Sequence, residues 1–383
     1  MSVTTPRGFR AAGVTAGLKA SGRPDVALVV NDGPDHHAAA VFTGNRVEAA
    51  PVTWSRTVVA DGRADAVVLN SGGANACTGA PGFQDTHRTA EHVGAALDIA
   101  PGDVVVCSTG LIGERLPMDL LLPGVDSAAA GLATDGGPAA AAAIMTTDTV
   151  AKTATAARDG WSVGGMAKGA GMLAPALATM LVVITTDAVV DGPDLDGVLR
   201  TATATTFDRV DSDGCMSTND TVVLLASGAS GVRVGRDHLA DAVTEVCASL
   251  ARQLVADAEG AHHDIAVEVR SAASVDDALE VARAVARNNL FKCAVFGNDP
   301  NWGRVLAAVG TTTAAFDPAS LDVSMNGVQV CRAGGVGEDR SLVDLTGREV
   351  SVVVDLHAGD ATATVWTNDL THDYVHENSA YST

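Results

Sequence analysis

The chain reads GGMAKGAGMLAPALATMLVVI over residues 164–184, where a glycine-rich approach runs into an apolar segment. The glycines leave the approach conformationally free, while Pro175 restricts the backbone just before residues 176–178. From Met180 the residues are apolar and mostly β-branched, which predicts a buried strand. Thr179, preceded by the small residue Ala178, therefore stands where a loop meets the first residues of a strand.

This arrangement suits an intramolecular acyl shift. A mobile approach would let the Ala178 carbonyl meet the Thr179 hydroxyl, and the following strand would hold that hydroxyl in place. Hydrolysis of the resulting ester would leave Thr179 as a new N-terminus, whose α-amine, with an ordinary pKa of about 7.7–8.0, can act as its own base. The alternative interpretation is a glycine and proline loop followed by an ordinary buried strand.

The first half of the chain predicts short buried strands that end in glycine-containing loops. Apolar runs at residues 26–30, 66–69 and 104–106 lack polar alternation, which is typical of strands covered on both faces. Pro138 then begins an alanine-rich helix that continues through Ile144, since proline is tolerated at the first helical position.

The second half shows clearer helical periodicity. Apolar residues recur at spacings of three and four from Leu239 to Leu254, and a further helix begins at Ser274 with Asp277 three residues on. Residues 265–269 alternate as a half-exposed strand, and residues 352–354 and 361–366 predict a hairpin. Together with a length of 383 residues, these patterns predict a two-lobed mixed α and β fold with helix-covered sheets.

Composition excludes several classes of function. Twenty-five basic against 46 acidic residues give a net charge of −21, and no basic run offers a surface for nucleic acid. Residues 169–186 are uncharged but contain glycines and a proline, so a buried strand with its approach loop explains them better than a membrane span. The six cysteines form no C-x-x-C pair, and the first residues show no secretory signal, which predicts free thiols in a reducing cytoplasm.

Other sequence patterns that could indicate an active site or a binding site have less support. Gly160 to Gly164 matches the G-x-S-x-G pattern of serine hydrolases around Ser162, but a nucleophile elbow needs a strand before it and a helix after it. The adjacent histidines at 36–37 and 262–263 have no further ligand at metal-binding spacing and are interpreted as solvated loop residues. No phosphate loop supports a nucleotide cofactor, so no cofactor and no metal are expected. A non-catalytic binding protein would explain the glycine loops but not the segment before Thr179.

Eight separated blocks along the chain resemble, in the same order, those of the ornithine acetyltransferase (glutamate N-acetyltransferase) family, the bifunctional proteins of arginine biosynthesis. The blocks are PRGF (6–9), NSGGANACTG (70–79), STGLIG (108–113), MTTDT (145–149), KGAGMLAPALATML (168–181), DGCMSTND (213–220), DPNWGR (299–304) and YVHENSAY (374–381). The tail departs mildly from the family pattern, with Ser379 after Asn378 and Thr383 where several members have serine.

The resemblance implies roles for individual residues. Thr179 would be the residue before which the chain cuts itself and the nucleophile that accepts the acyl group. Thr109 and Gly110 would form the oxyanion hole. The residues that would bind substrate are Thr146 or Thr147, a choice the sequence leaves open, together with Lys168, Thr179, Glu259, Asn378 and Thr383.

The resemblance also implies an N-terminal-nucleophile type of fold and a ping-pong reaction. Cleavage between Ala178 and Thr179 would give an α chain of residues 1–178, carrying the oxyanion-hole loops, and a β chain of residues 179–383, carrying the nucleophile and the tail. Acetyl would pass from N-acetylornithine to Thr179 and then to glutamate, with acetyl-CoA as a donor in some members. Two αβ units would assemble as α2β2.

Overall fold

The structure is a computed structural model that describes residues 2–174 and 180–380. Three predicted site residues, Ala178, Thr179 and Thr383, lie outside the described residues. Within the described ranges the strands are β1 (Phe9–Val14), β2 (Val26–Asn31), β3 (His37–Phe42), β4 (Ala66–Asn70), β5 (Val104–Ser108), β6 (Lys152–Ala157), β7 (Ser162–Lys168), β8 (Leu181–Thr186), β9 (Thr221–Ala226), β10 (Asp264–Ala272), β11 (Asp322–Met325), β12 (Val328–Arg332), β13 (Gly335–Val336), β14 (Glu349–Asp355) and β15 (Ala361–Asn368).

The helices alternate with these strands along the chain. In the same described ranges they are α1 (Ala50–Val58), α2 (Gly79–Leu97), α3 (Met118–Ala130), α4 (Gly137–Ala143), α5 (Gly192–Thr205), α6 (Arg236–Ala256), α7 (Val275–Ala286), α8 (Asn289–Phe296), α9 (Trp302–Val309) and α10 (His372–Ala380).

The first lobe is a four-layer sandwich of two sheets between helices. One sheet has the strand order β1-β2-β4-β5 and the other β3-β9-β8-β7-β6. The two sheets pack face to face through small and β-branched side chains such as Val29, Val67, Val183 and Val223. Helices α2 and α3 cover the outer face of the four-stranded sheet, and α5 and α6 cover that of the five-stranded sheet. Because β2, β4 and β5 lie inside this sandwich, every residue in them is buried, as their continuous apolar runs predict.

The second lobe is a six-stranded sheet in the order β13-β12-β11-β14-β10-β15, with α7 and α9 packed on its core. The alternation predicted for residues 265–269 is confirmed, since Ile265, Val267 and Val269 are buried between partly exposed neighbours. The cap of α7 is confirmed too, because the Ser274 side chain accepts a hydrogen bond from Asp277 N at 3.1 Å. The expected two-lobed mixed α and β fold is correct.

The predicted hairpin between residues 352–354 and 361–366 is wrong. Strands β14 and β15 both form, but β10 lies between them, parallel to β14 and antiparallel to β15. The turn between β14 and β15 therefore crosses over β10, and a short loop between two apolar runs does not reveal a strand inserted from elsewhere in the chain.

Strands from both sides of residue 179 share the five-stranded sheet. Strand β8 follows this residue and lies between β7, which precedes it, and β9, which follows it. Two pieces separated at residue 179 would therefore stay joined by a complete ladder of backbone hydrogen bonds between β7 and β8.

Other sequence predictions can be compared with the structure directly. All six cysteines are free thiols. Ser162 is the first residue of β7, so a strand and not a helix follows it, and the context of a nucleophile elbow is absent there. The interpretation of the paired histidines as solvated is wrong for His263, which is 7% exposed and hydrogen-bonds Asp369 at 2.7 Å. None of the helices in the described ranges is long and apolar enough to span a membrane.

Candidate active site

Seven of the predicted site residues line one small cavity. Its volume is about 100 Å³. Its lining residues are Thr109, Gly110, Thr146, Thr147, Lys168, Gly171, Met172, Glu259 and Asn378. These residues come from five separate parts of the sequence, so the fold alone brings them together. Both Thr146 and Thr147 reach the cavity, and the choice between them stays open.

The register of the five-stranded sheet places the neighbours of Thr179 beside this cavity. Lys168, Leu181 and Thr221 form one row across β7, β8 and β9. Met180 and Asp220 come immediately before this row, and Met180 N donates a hydrogen bond to Asp220 Oδ1 at 3.1 Å. Met180 is thus fixed near the end of β7, where Lys168 lies.

The Thr109 and Gly110 pair sits in a tight loop directly after β5. Thr109 N donates to Asn70 O at 3.0 Å, and Gly73 N donates to Thr109 O at 3.0 Å. Gly110 has φ of +135°, and a Cβ at this position would come within 2.7 Å of Gly73 N. Glycine is therefore required there both by conformation and by space. The loop has little freedom, as a preorganised donor site needs.

Lys168 is a buried cation on the cavity wall. It is 2% exposed, and its Nζ lies 3.4 Å from Thr109 Oγ1. Burial lowers the pKa of Lys168 below its usual value, and the carboxylate of Asp148 opposes this effect without cancelling it. An ammonium group in such a place binds an anion strongly because little water competes for it.

Asp148 lies close enough to Lys168 for its charge to favour the ammonium form, and it was not predicted as a site residue. Its Oδ1 accepts hydrogen bonds from Gly169 N and from Lys152 Nζ, both at 2.7 Å. Lys152 in turn pairs with Asp257 at 2.5 Å. Burial alone would raise the pKa of Asp148, but Lys168 and Lys152 lower it to about 2. The carboxylate therefore stays ionised between two buried lysines, in a chain of alternating charges.

Glu259 adds a carboxylate to the cavity lining. Its backbone N donates to Ala170 O at 2.9 Å, which ties the residues after α6 to the glycine-rich approach. The side chain lies over Gly171, where an added Cβ would be 2.7 Å from Glu259 Oε2. The cavity thus offers one buried ammonium and one carboxylate for a substrate that carries both charges.

Helix α10 brings Asn378 to the cavity from the C-terminal end of the chain. Thr371 Oγ1, just before the helix, donates to Gly260 O at 2.6 Å and accepts from Tyr374 N at 2.9 Å. Gly260 has φ of +61°, and a Cβ there would lie 2.2 Å from Tyr374 N. This close contact, next in sequence to Glu259, fixes the start of α10 beside the cavity.

Loop 211–220, the segment between the end of α5 and β9, holds the chain on both sides of residues 175–179. Upstream, Leu173 N donates to Asp213 Oδ2 at 3.1 Å, and Leu173 also forms an isolated bridge with Met216. Downstream, Asp220 accepts from Met180 N. Asp213 and Asp220 lie in the DGCMSTND block, yet the sequence carried no signal of what they hold.

The same loop is fixed to the oxyanion-hole side of the cavity. Asn219 Nδ2 donates to Ala74 O at 2.6 Å and to Ser108 O at 2.8 Å, and Asn219 is buried. A single asparagine therefore joins loop 211–220, which contacts Leu173 and Met180, to the loop that carries Thr109.

Comparison with known proteins identifies the family of the chain. The model of the ArgJ family matches residues 10–383. The chain belongs to the ArgJ family. It is 66% identical over 382 residues to the arginine biosynthesis bifunctional protein ArgJ of Streptomyces coelicolor, and 66% identical over 383 residues to that of Thermobifida fusca, with 100% of each chain covered in both cases. A solved chain of ornithine acetyltransferase complexed with ornithine from Mycobacterium tuberculosis is 57% identical, covers 47% of this chain and 96% of its own length, and has a TM-score of 0.45.

A larger cavity in this ArgJ-family chain lacks comparable chemistry. It has a volume of about 560 Å³ and lies along the edge strand β3 and the start of α5. The arginines on its wall are already paired, Arg56 with Glu48 at 2.7 Å and Arg200 with Asp196 at 2.8 Å. None of the predicted site residues that the structure describes lines it. The small cavity, and not the large one, is therefore the candidate active site.

Proposed function

We propose that this chain is an acetyltransferase of arginine biosynthesis that moves an acetyl group from N-acetylornithine to glutamate through an acetyl-Thr179 intermediate. The observation that carries the proposal is the convergence of seven predicted residues on one cavity, one of which, Lys168, pairs with Leu181 two residues after Thr179. Family membership and the names of the relatives, which include an ornithine acetyltransferase complexed with ornithine, support the same activity.

The charges in the cavity match an amino-acid substrate. The Lys168 ammonium would bind the substrate α-carboxylate, and the Glu259 carboxylate would bind the side-chain ammonium of ornithine. Asn378 and Thr146 or Thr147 add uncharged donors and acceptors on the same wall, and Thr383 would complete it. Because the Lys168 ammonium and the backbone of Glu259 are each held by a further contact, the site is largely ordered before the substrate arrives, which reduces the entropy lost on binding.

The chemical steps follow from Thr109 and Gly110. In each half-reaction a tetrahedral intermediate carries negative charge on the former carbonyl oxygen, and these two residues would donate hydrogen bonds to it. One such donor is typically worth about 2.7–4 kcal/mol of transition-state stabilisation. The α-amine of Thr179, once free, would take the hydroxyl proton and later return it.

The protein would reach this state by cutting itself between Ala178 and Thr179. Residues 1–178 and 179–383 would then act as α and β chains and remain joined through β7 and β8. We further propose an α2β2 assembly that works in the cytoplasm, where the six free thiols would stay reduced. The word bifunctional in the relatives' names supports acetyl-CoA as a second acetyl donor.

The proposal is tested by trapping the intermediate. Purified protein is incubated with N-acetylornithine in the absence of glutamate, and the mass of the fragment that begins at Thr179 is measured. The fragment should gain the mass of one acetyl group, peptide mapping should place it on Thr179, and addition of glutamate should remove it. Ser162→Ala, which removes the rival nucleophile, should behave as wild type. An acetyl group on Ser162, or transfer with no acetylated fragment, would contradict the proposal.

The role of Glu259 predicts a selective effect of Gly171→Ala. The new methyl group would meet the Glu259 carboxylate at 2.7 Å and displace it, while the backbone at Gly171 has no positive φ to forbid alanine. We expect the KM for N-acetylornithine to rise roughly tenfold, equivalent to about 1.4 kcal/mol, with a smaller change for glutamate. Steady-state kinetics with each substrate measure this. Gly102→Ala is the control, because a Cβ there meets nothing within 4 Å. Equal effects on both substrates would argue against the assignment.

A further inference from the structure

Asp220 is a completely buried carboxyl group that the proposed acetyl transfer does not use. It lies in loop 211–220 at the start of β9, and it is 0% exposed. Its two oxygens differ: Oδ1 accepts the hydrogen bond from Met180 N at 3.1 Å, whereas Oδ2 has no hydrogen-bond partner among the described residues. An unpaired buried oxygen of this kind is costly and calls for an explanation.

The surroundings of Asp220 favour its neutral, protonated form. Complete burial raises the pKa of Asp220 well above its usual value. The titratable groups that face it are Lys168 on β7, whose charge opposes this rise, and Cys215 in the same loop. The hydroxyls of Ser217 and Thr43 also lie near the carboxyl group and partly oppose the rise in its pKa. Thr43 donates to Ser217 O at 2.6 Å, however, and Oδ2 has no partner within hydrogen-bond distance among the described residues. Since Oδ1 is an acceptor, the acid proton belongs on Oδ2.

The position of the Asp220 proton matters because a second backbone nitrogen lies only three covalent bonds from Met180 N. The backbone nitrogens of consecutive residues are three bonds apart and so within about 4 Å of each other. The Thr179 nitrogen is therefore bound to lie near Met180 N, which Asp220 already contacts. This is the nitrogen that must gain a proton when the bond between Ala178 and Thr179 breaks.

We propose that Asp220 donates the proton to the departing Thr179 nitrogen during self-cleavage. The inference rests on the proposed role of Thr179. In the step, Thr179 Oγ forms a bond to the Ala178 carbonyl carbon, the C–N bond breaks, and the Asp220 proton passes to the nitrogen to give an amine. The hydroxyl proton released by Oγ restores the acid on Asp220. Water then hydrolyses the ester, so that no other reactant is needed.

The variant Asp220→Asn separates proton donation from shape. The amide oxygen can still accept the hydrogen bond from Met180 N, and the side-chain volume hardly changes, but the group has no acid proton. The full chain is made by cell-free translation, and conversion of the uncut chain into fragments is followed over time. We expect cleavage to be at least about 100-fold slower than in wild type, the lower end of the range for general acid catalysis. The thermal midpoint is measured in parallel to confirm folding.

Asp187→Asn is the matched control. Asp187 is also buried and also accepts a backbone hydrogen bond, from Ser162 N at 2.7 Å, but it follows the opposite end of β8. It should cleave within about threefold of wild type because it lies away from the scissile bond. Cleavage of Asp220→Asn at a rate within threefold of wild type would overturn the proposal.

Two further measurements do not depend on how well Asp220→Asn folds or cleaves. In wild type the cleavage rate should fall on the alkaline side as Asp220 loses its proton, and a rate that rises steadily with pH over the range in which the chain stays folded would overturn the proposal. Hydroxylamine, which cuts esters, should not release fragments rapidly from uncut Asp220→Asn, because the ester should not have formed. Rapid release would show that the ester forms in Asp220→Asn and that a later step is blocked, which would also overturn the proposal. Cleavage of Thr179→Ala at the same bond would instead overturn the proposed nucleophile.

Discussion

Thr179→Ala is expected to leave the 383-residue chain uncut and to abolish acetyl transfer. The substitution removes the hydroxyl that would attack the Ala178 carbonyl and later carry the acetyl group. Loss of a covalent nucleophile typically costs about 10⁴-fold to 10⁶-fold in rate, which is the decrease expected here. Intact mass and N-terminal sequencing measure the cleavage, and acetyl transfer from N-acetylornithine to glutamate measures the activity.

Thr179→Ser is the matched control, since it keeps a hydroxyl and should still be cut before residue 179 and transfer acetyl. Loss of activity in Thr179→Ala could follow merely from the absence of cleavage. A form of the protein that is already divided before residue 179 is therefore needed as well. Residues 1–178 and 179–383 are produced as separate chains, which can assemble because β7 and β8 form neighbouring strands of one sheet. The assembled pair that carries the Thr179→Ala substitution should remain inactive. An active pair would show that Thr179 is needed for cleavage only.

The sequence predicts the layers of the fold better than its connections. A strand between two layers has no polar face, so the runs that became β2, β4 and β5 indicate at once that their sheet is covered on both sides. The sequence does not show which strand pairs with which. Strands β14 and β15 are close in sequence, but each pairs with β10, whose partner residues lie 85 residues before those of β14 and 89 to 104 before those of β15. The apolar faces of all three strands complete one core. Short-range patterns do not contain that information.

In the candidate site, too, the sequence predicts some features and misses others. Residues that would touch the substrate were predicted because the family resemblance assigns them, and the structure brings seven of them to one cavity. The residues that hold them were missed, although Asp148 and Asp220 both lie in the quoted blocks. Lys152 illustrates the reason: a lysine in a strand is normally solvated, and only the tertiary structure shows that this one is 0% exposed between two carboxylates. Burial of charge is decided by long-range packing, which single-residue patterns do not record.

Asp148→Asn is expected to destabilise the fold and to weaken binding of the substrate carboxylate at once. Without this carboxylate, Lys168 keeps its burial but loses the neighbour that most strongly favours its charged form. Its pKa should fall further, so that more of it is neutral at pH 7. Removing one partner of a buried ion pair typically costs about 3–5 kcal/mol, which should appear as a lower free energy of unfolding. We expect the KM for glutamate to rise roughly 10-fold to 100-fold and to recover partly as the pH is lowered from 8 to 6.

The loss of folding stability at acid pH gives an independent measurement of the charge on Asp148. The pKa of Asp148 is about 2 in the folded chain, below the value of about 3.9 for an unfolded aspartate. A group with a lowered pKa adds stability that is present above about pH 4 and is lost as the pH falls toward 2. Wild type should therefore lose about 2 kcal/mol more than Asp148→Asn over this interval in denaturant titrations.

Asp257→Asn is the control for both measurements. It weakens the Lys152 pair but leaves Asp148 beside Lys168, so stability should fall while the KM for glutamate and its pH dependence hardly change. If Asp257→Asn raised this KM as strongly as Asp148→Asn, the effect would come from general loosening of the fold and not from the charge on Lys168.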